Sequence, residues 1–229
     1  MKLRSTSIGR DVELGEQKHY LQLFVAVVSL FVLQASLAQT PFSLLIEVVV
    51  ASAALMLAVM LAELSRRIVI VIGVVVALVI AIAVIQTMFG GVTDSAKGLG
   101  LVNLLLLAAG TPALIRATRR HPTINASTIL GAITIYVLIG LFFAAMYRSL
   151  LTFNPDSFVT SSGSLTPSAM QYLSFVTITT VGFGDITPVT NVARTTVALE
   201  ALIGQVYLVT VVAVVVGRLG HERRSKPGT

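Results

Sequence analysis

The sequence predicts an all-α membrane protein: six transmembrane helices, with a re-entrant helix and loop between the last two. Three observations predict it. Of 229 residues, 55% are hydrophobic and 11% charged, where an average soluble domain carries about 25% charged residues. Mean hydropathy is +0.92. Six segments approach the run of about 20 apolar residues that a spanning helix needs. This composition excludes a soluble enzyme, a disordered tail and a free nucleic-acid binder. Cysteine is absent, so disulfides and thiolate metal sites are excluded, and tryptophan is absent, which leaves Phe and Tyr for any interfacial belt.

The first span runs from Tyr20 to Ala38 and the second from Phe42 to Ala62. The third, Ile68 to Phe89, is almost pure Val, Ile and Ala. The fourth, Leu99 to Ile115, is short, and Gly110-Thr111-Pro112 is expected to break it near its end. The fifth covers Ala126 to Tyr147, and the sixth, Asn191 to Gly217, is long enough to cross with tilt. The chain thus divides into an N-terminal segment 1–19, a four-helix domain 20–115, a linker 116–125, a domain of two spans with their connection 126–217, and a basic tail 218–229.

Basic residues set the expected orientation. Thirteen of the sixteen fall before the first span, after the second, after the fourth and after the sixth, whereas Lys97, Arg148 and Arg194 fall on the other side. The positive-inside bias then makes both termini cytoplasmic. Ser36-Leu37-Ala38 resembles a signal-peptidase site, but the apolar run is longer than a secretory signal needs.

The connection between the last two spans carries the chemistry. Thr166 is a good N-cap and Pro167 suits a first helical position, so a helix too short to cross is expected over 167–178. Thr179-Thr180-Val181-Gly182-Phe183-Gly184-Asp185 follows. Irregular backbone at membrane depth survives only when it is buried in protein or lines a watery cavity, so this segment reads as pore lining. Glycines 182 and 184 tolerate positive φ. Alternating handedness can aim successive carbonyl oxygens at one axis, with the Thr180 hydroxyl adding another and Val181 and Phe183 packing behind the strand. The short helix directs its negative C-terminal end at the pore, which favours a cation.

The run Thr180-Val181-Gly182-Phe183-Gly184-Asp185, with its short helix and flanking spans, resembles the signature of the tetrameric potassium channels, within the six-transmembrane, voltage-gated-like superfamily. The resemblance covers residues 126–217. It implies a homotetramer in which three identical subunits complete the ring. It implies a filter over 180–185 in which the carbonyls of Thr180, Val181, Gly182 and Phe183, and the Thr180 hydroxyl, hold dehydrated K⁺, with Gly184 completing the strand. K⁺ is then the permeant ion, and no cofactor is expected. Thr179, Tyr172, Val176 and Asp185 are the expected filter supports. Phe183 stands where Tyr is commoner, and Val176 where some relatives carry Glu. Asp185 would therefore lack that partner, and packing more than hydrogen bonding would hold the filter.

In the sixth span, Gly204 is a hinge by resemblance or a close-packing position by helix physics. Gln205, Leu208, Val212 and Val216 share helical spacing, so Gln205 could face a cavity above an apolar constriction at Val212 and Val216. Glu200 and Glu47 are carboxylates within spans; Arg194 or Lys97 is the expected partner of Glu47. A voltage sensor needs basic residues along the fourth span, but Arg116, Arg119 and Arg120 lie only at its end, so strong voltage gating is not expected. No soluble ligand domain is expected as a partner. Lipid is an expected partner and nucleic acid is not, and the expected location is the plasma membrane. A weakly selective or voltage-modulated cation channel is the alternative. Gly-Phe-Gly-Asp also resembles an intramembrane aspartyl-protease signature, but Asp11, Asp94 and Asp156 all lie outside the spans and supply no second acid. A carrier would call for internal repeats, and none stands out.

Overall fold

A computed structural model of the chain describes residues 3–36, 40–62, 64–89, 92–119, 126–161 and 163–225. Among the described residues the regular structure is helical apart from one short pair of strands. The helices are α1 (Leu3–Ser36), α2 (Pro41–Leu61), α3 (Arg66–Phe89), α4 (Val92–Arg119), α5 (Ala126–Phe153), α6 (Pro167–Ile178) and α7 (Asn191–Ser225). Strands β1 (Phe158–Thr160) and β2 (Ile186–Pro188) pair antiparallel, Val159 opposite Thr187.

Local signals explain the helix starts. Thr40 caps α2 through a reciprocal pair with Ser43, with Pro41 in the first turn. Thr166 caps α6 by accepting from the Ala169 N–H at 3.1 Å. α1 is continuous from Leu3 to Ser36 and so runs through the expected start of the first span at Tyr20. α7 likewise continues past Gly217 to Ser225. The linker residues 120–125, including Pro122, and the cleavage-like residues 37–39 lie outside the described residues.

α4 corrects an expectation, since no break occurs at Gly110-Thr111-Pro112. Pro112 cannot donate to the Ala108 carbonyl, but the neighbouring Thr111 hydroxyl donates to the Leu107 carbonyl at 2.9 Å, and packed helices hold the rest. Gly110 lies against Leu55, and α2 turns small buried residues, Ala51, Ala54 and Ala58, toward its neighbours. Small side chains let helix backbones approach closely, which is how apolar helices associate where lipid removes the hydrophobic drive.

Among the described residues, four helices hold stretches long and apolar enough to cross a membrane: Lys18–Ser36, Arg66–Ile85, Thr128–Phe153 and Asn191–Val214. α2 and α4 contribute shorter apolar stretches, Leu45–Leu61 and Leu101–Arg116. α3 exposes most of its Val and Ile side chains, whereas α5 is the most enclosed span and forms the centre of the core.

Among the described residues the partner of Glu47 is Arg148 on α5, at 3.3 Å, and not Arg194. Arg194 instead donates to the Pro188 carbonyl, and the Lys97 side chain lies outside the described residues. Glu47 is buried and Arg148 largely so, yet Glu47 Oε1 and Arg148 Nη2 have no partner among the described residues. A half-satisfied buried pair contributes little, but removing one member strands the other. Arg148→Gln should therefore destabilise the detergent-solubilised protein by about 3–5 kcal/mol, and Glu47→Leu with Arg148→Met should be close to neutral. Thermal unfolding of the two variants checks this.

Candidate functional site

The site is the C-terminal end of α6, the chain that leaves it, and the faces of α5 and α7 behind it. Each carbonyl at this helix end is otherwise without an intrahelical donor. The chain folds back to supply donors: the Thr179 N–H reaches the Phe175 carbonyl at 3.2 Å and the Thr180 N–H the Thr177 carbonyl at 2.9 Å. The N–H groups of Val181 and Gly182 both converge on the Val176 carbonyl, at 2.9 and 3.0 Å. The Ile178 carbonyl accepts from the Tyr136 hydroxyl of α5 at 2.8 Å.

Three residues along this strand have left-handed backbone: Thr180 (φ 61°), Gly182 (φ 55°) and Gly184 (φ 76°). The alternation expected from the glycines therefore starts one step earlier, at a β-branched residue. Such a conformation is uncommon outside glycine and costs about 1–3 kcal/mol, so the surrounding bonds must impose it. Thr179, on the expected support list, turns its hydroxyl back to the Phe175 carbonyl at 2.5 Å.

The support expected here is more packing than hydrogen bonding, and polar contacts accompany the packing. The Tyr172 phenol interacts with the Asp185 carboxylate, and its pKa is raised by desolvation first and then by that carboxylate, so it stays neutral at physiological pH. The Asp185 carbonyl accepts from the Ser161 N–H at 2.9 Å and faces its hydroxyl at 3.3 Å. Phe183 stacks flat on Tyr172, centroids 6.3 Å apart. Within one chain Val181 and Phe183 remain exposed, at 54% and 69%, so packing behind the strand is not completed by the chain's own residues. Val176 acts through its carbonyl and is only half-buried.

α7 passes behind the helix end. A Cβ on Gly204 would lie 2.5 Å from Ile178 Cγ1 and 2.9 Å from its carbonyl oxygen, so α7 lies close against α6 at this glycine. A Cβ on Gly140 of α5 would meet the Phe175 ring at 2.8 Å. That ring stands edge-on to Phe31 of α1 at 4.7 Å, and Gln171 donates to the Phe31 carbonyl. Tyr207 stacks on Tyr136 and donates to the Ala132 carbonyl at 2.6 Å. Sequence reasoning missed Tyr136, Tyr207 and Gln171; their only signal is a polar tip on an otherwise apolar helix face. Gln205, Leu208 and Val212 are exposed in the single chain, and the Val216 side chain lies outside the described residues.

Glu200 is buried completely and hydrogen-bonded to two neighbours, Tyr147 of α5 and Ser174 of α6. It thus lies against the back of the short helix. Among the described residues no group of His, Asp and Glu could hold a metal ion.

Residues 131–220 match a family described as an ion channel. That stretch runs from α5 through α6 and the strand into α7. The match indicates a channel and not an enzyme, and with the apolar helices it makes this a membrane protein. Comparison with curated proteins and with solved structures gives no match.

Two predictions follow from the packing. Gly204→Ala should cost about 1–3 kcal/mol, since a backbone carbonyl cannot move aside as a side-chain tip can. Gly73→Ala on α3, where a Cβ meets nothing within 4 Å, should be neutral or slightly stabilising; thermal unfolding of both separates contact from propensity. Tyr172→Phe should speed the decay of current under sustained opening while keeping the ring stack, and an unchanged decay would refute a role for the Asp185 interaction.

Proposed function

We propose that the chain is one subunit of a potassium-selective channel, a homotetramer that conducts K⁺ passively through a filter formed by residues 180–185 of each copy. The observation that carries this reading is the left-handed backbone at Thr180, Gly182 and Gly184 directly after a short capped helix. Alternating handedness turns successive carbonyls the same way. One chain supplies one arc of oxygens; several copies around an axis replace the hydration shell of a monovalent cation.

In this reading the chain has six spans, with α6 re-entering between the fifth and sixth. Residues 126–217 form the pore domain and 20–115 a scaffold. Thr180, Val181, Gly182 and Phe183 hold K⁺, and Gly184 and Asp185 close the outer end. The exposure of Val181 and Phe183 supports neighbouring copies as their cover. The termini are cytoplasmic and the membrane is the plasma membrane. α7 gates, with Gly204 as its pivot against Ile178, Gln205 in the cavity, and Val212 and Val216 as the apolar constriction. Arg116 is exposed at the end of α4, and no basic residue precedes it within the apolar stretch from Leu101, so a steep voltage response is not expected.

Purified protein in liposomes should pass K⁺ far faster than Na⁺ and be blocked by Ba²⁺. Gly182→Ala, which places a Cβ at φ 55°, should abolish the selective flux. Equal passage of Na⁺ and K⁺ by the wild type would overturn the reading.

A further inference from the structure

Behind the short helix, three oxygen–oxygen contacts close around one carboxyl group. Ser174 Oγ lies 2.5 Å from Glu200 Oε1 and 2.6 Å from the Gly140 carbonyl oxygen. Tyr147 Oη bonds Glu200 Oε2. Three such contacts need three hydrogens between them. Ser174 and Tyr147 carry one each, and a backbone carbonyl carries none. The third can come only from the carboxyl of Glu200.

The surroundings agree with that count. Glu200 and Ser174 are both fully buried. From α5, Tyr147 donates to the carboxyl, and Tyr136 donates instead to the Ile178 carbonyl. α6 presents Ser174 and no ionisable group; its Tyr172 is turned to Asp185. On α7 itself Arg194 is bonded to the Pro188 carbonyl and Tyr207 to the Ala132 carbonyl. Arg148, next to Tyr147 in the chain, is paired with Glu47. No basic side chain among the described residues is therefore paired with Glu200, and an unpaired buried carboxylate is strongly disfavoured.

We propose that Glu200 is a positioning residue that works in its protonated form. It donates to Ser174, Ser174 donates to Gly140, and the relay ties α6 to both α5 and α7 one turn before Ile178. Ionisation removes the third hydrogen. Ser174 must then choose between the carboxylate and the Gly140 carbonyl, and the tie to α5 opens. Because α6 aims the strand that follows it, the conducting shape of the strand depends on this proton. The proposal rests on the pore reading above for its consequence, but the protonation itself does not.

Two measurements test it on the full-length protein. At neutral pH, the infrared spectrum should contain the carbonyl stretch of a protonated carboxylic acid that disappears in Glu200→Gln. In liposomes, wild-type K⁺ flux should be flat near neutrality and fall on the alkaline side, by up to about tenfold per pH unit, the most that one titrating proton allows. Glu200→Gln, whose amide can both donate to Ser174 and accept from Tyr147, should conduct within about threefold of the wild type, since one neutral hydrogen bond replaces another, and should lose the alkaline fall. Absence of the infrared band, or an identical alkaline fall in wild type and Glu200→Gln, overturns the proposal. A wild type that passes no K⁺ but shows the band refutes the pore reading and leaves the protonated Glu200 standing.

Discussion

A short helix that ends among packed helices leaves its last carbonyl groups without a continuing helix to satisfy them, and much of this structure is arranged around that constraint. The chain meets part of the need by turning back on itself, so that the Val181 and Gly182 N–H groups share the Val176 carbonyl. α5 meets another part through Tyr136 on the Ile178 carbonyl. α7 contributes by having no side chain at Gly204, which lets it lie against the same residue. These are cheap contacts singly, each neutral hydrogen bond contributing about 1 kcal/mol. Together they determine where the left-handed strand begins, and that strand holds Thr180 in a conformation a β-branched residue does not choose.

Local chemistry was readable from the sequence. Thr166-Pro167 marks a helix start by capping physics alone, and the glycines at 182 and 184 mark positive φ by sterics alone; both are decided within a few residues. What escaped is decided over distance. The Glu47–Arg148 pair spans 101 positions and the Tyr136–Ile178 bond 42, and no periodicity encodes either. The break expected at Gly110-Thr111-Pro112 failed for the same reason: Pro is a local signal, but packing against α2 and α5 overrides it in a membrane bundle. The pairing of β1 with β2 was invisible because three-residue strands carry no alternation to read.

Asp185 shows how a missing residue misleads. The absence of an acid at 176 suggested an unsupported carboxylate, yet Tyr172 fills the role from one turn earlier on the same helix. Position 172 lies close to 176 on the helix surface, as four-residue spacing requires. The Tyr172 ring stacks on Phe183 while its phenol interacts with the Asp185 carboxylate. One side chain therefore supplies both packing and a polar contact, so the two cannot be set against each other as rival means of holding the strand.

The surface of α7 extends the argument beyond one chain. Its buried residues, Ala193, Thr196, Glu200 and Gly204, follow three- and four-residue spacing and form one narrow stripe against α5 and α6. Val192, Leu199, Leu202, Val206, Val209 and Val212 are all more than 45% exposed, spread around the rest of the helix. Lipid alone could cover an apolar surface of that width. Gln205 argues against lipid all round, because it is exposed in mid-span and an amide facing hydrocarbon costs several kcal/mol without a partner. The sector that contains Gln205 is therefore best satisfied by water or by protein. In the proposed assembly, a central cavity bounded by further copies would supply both.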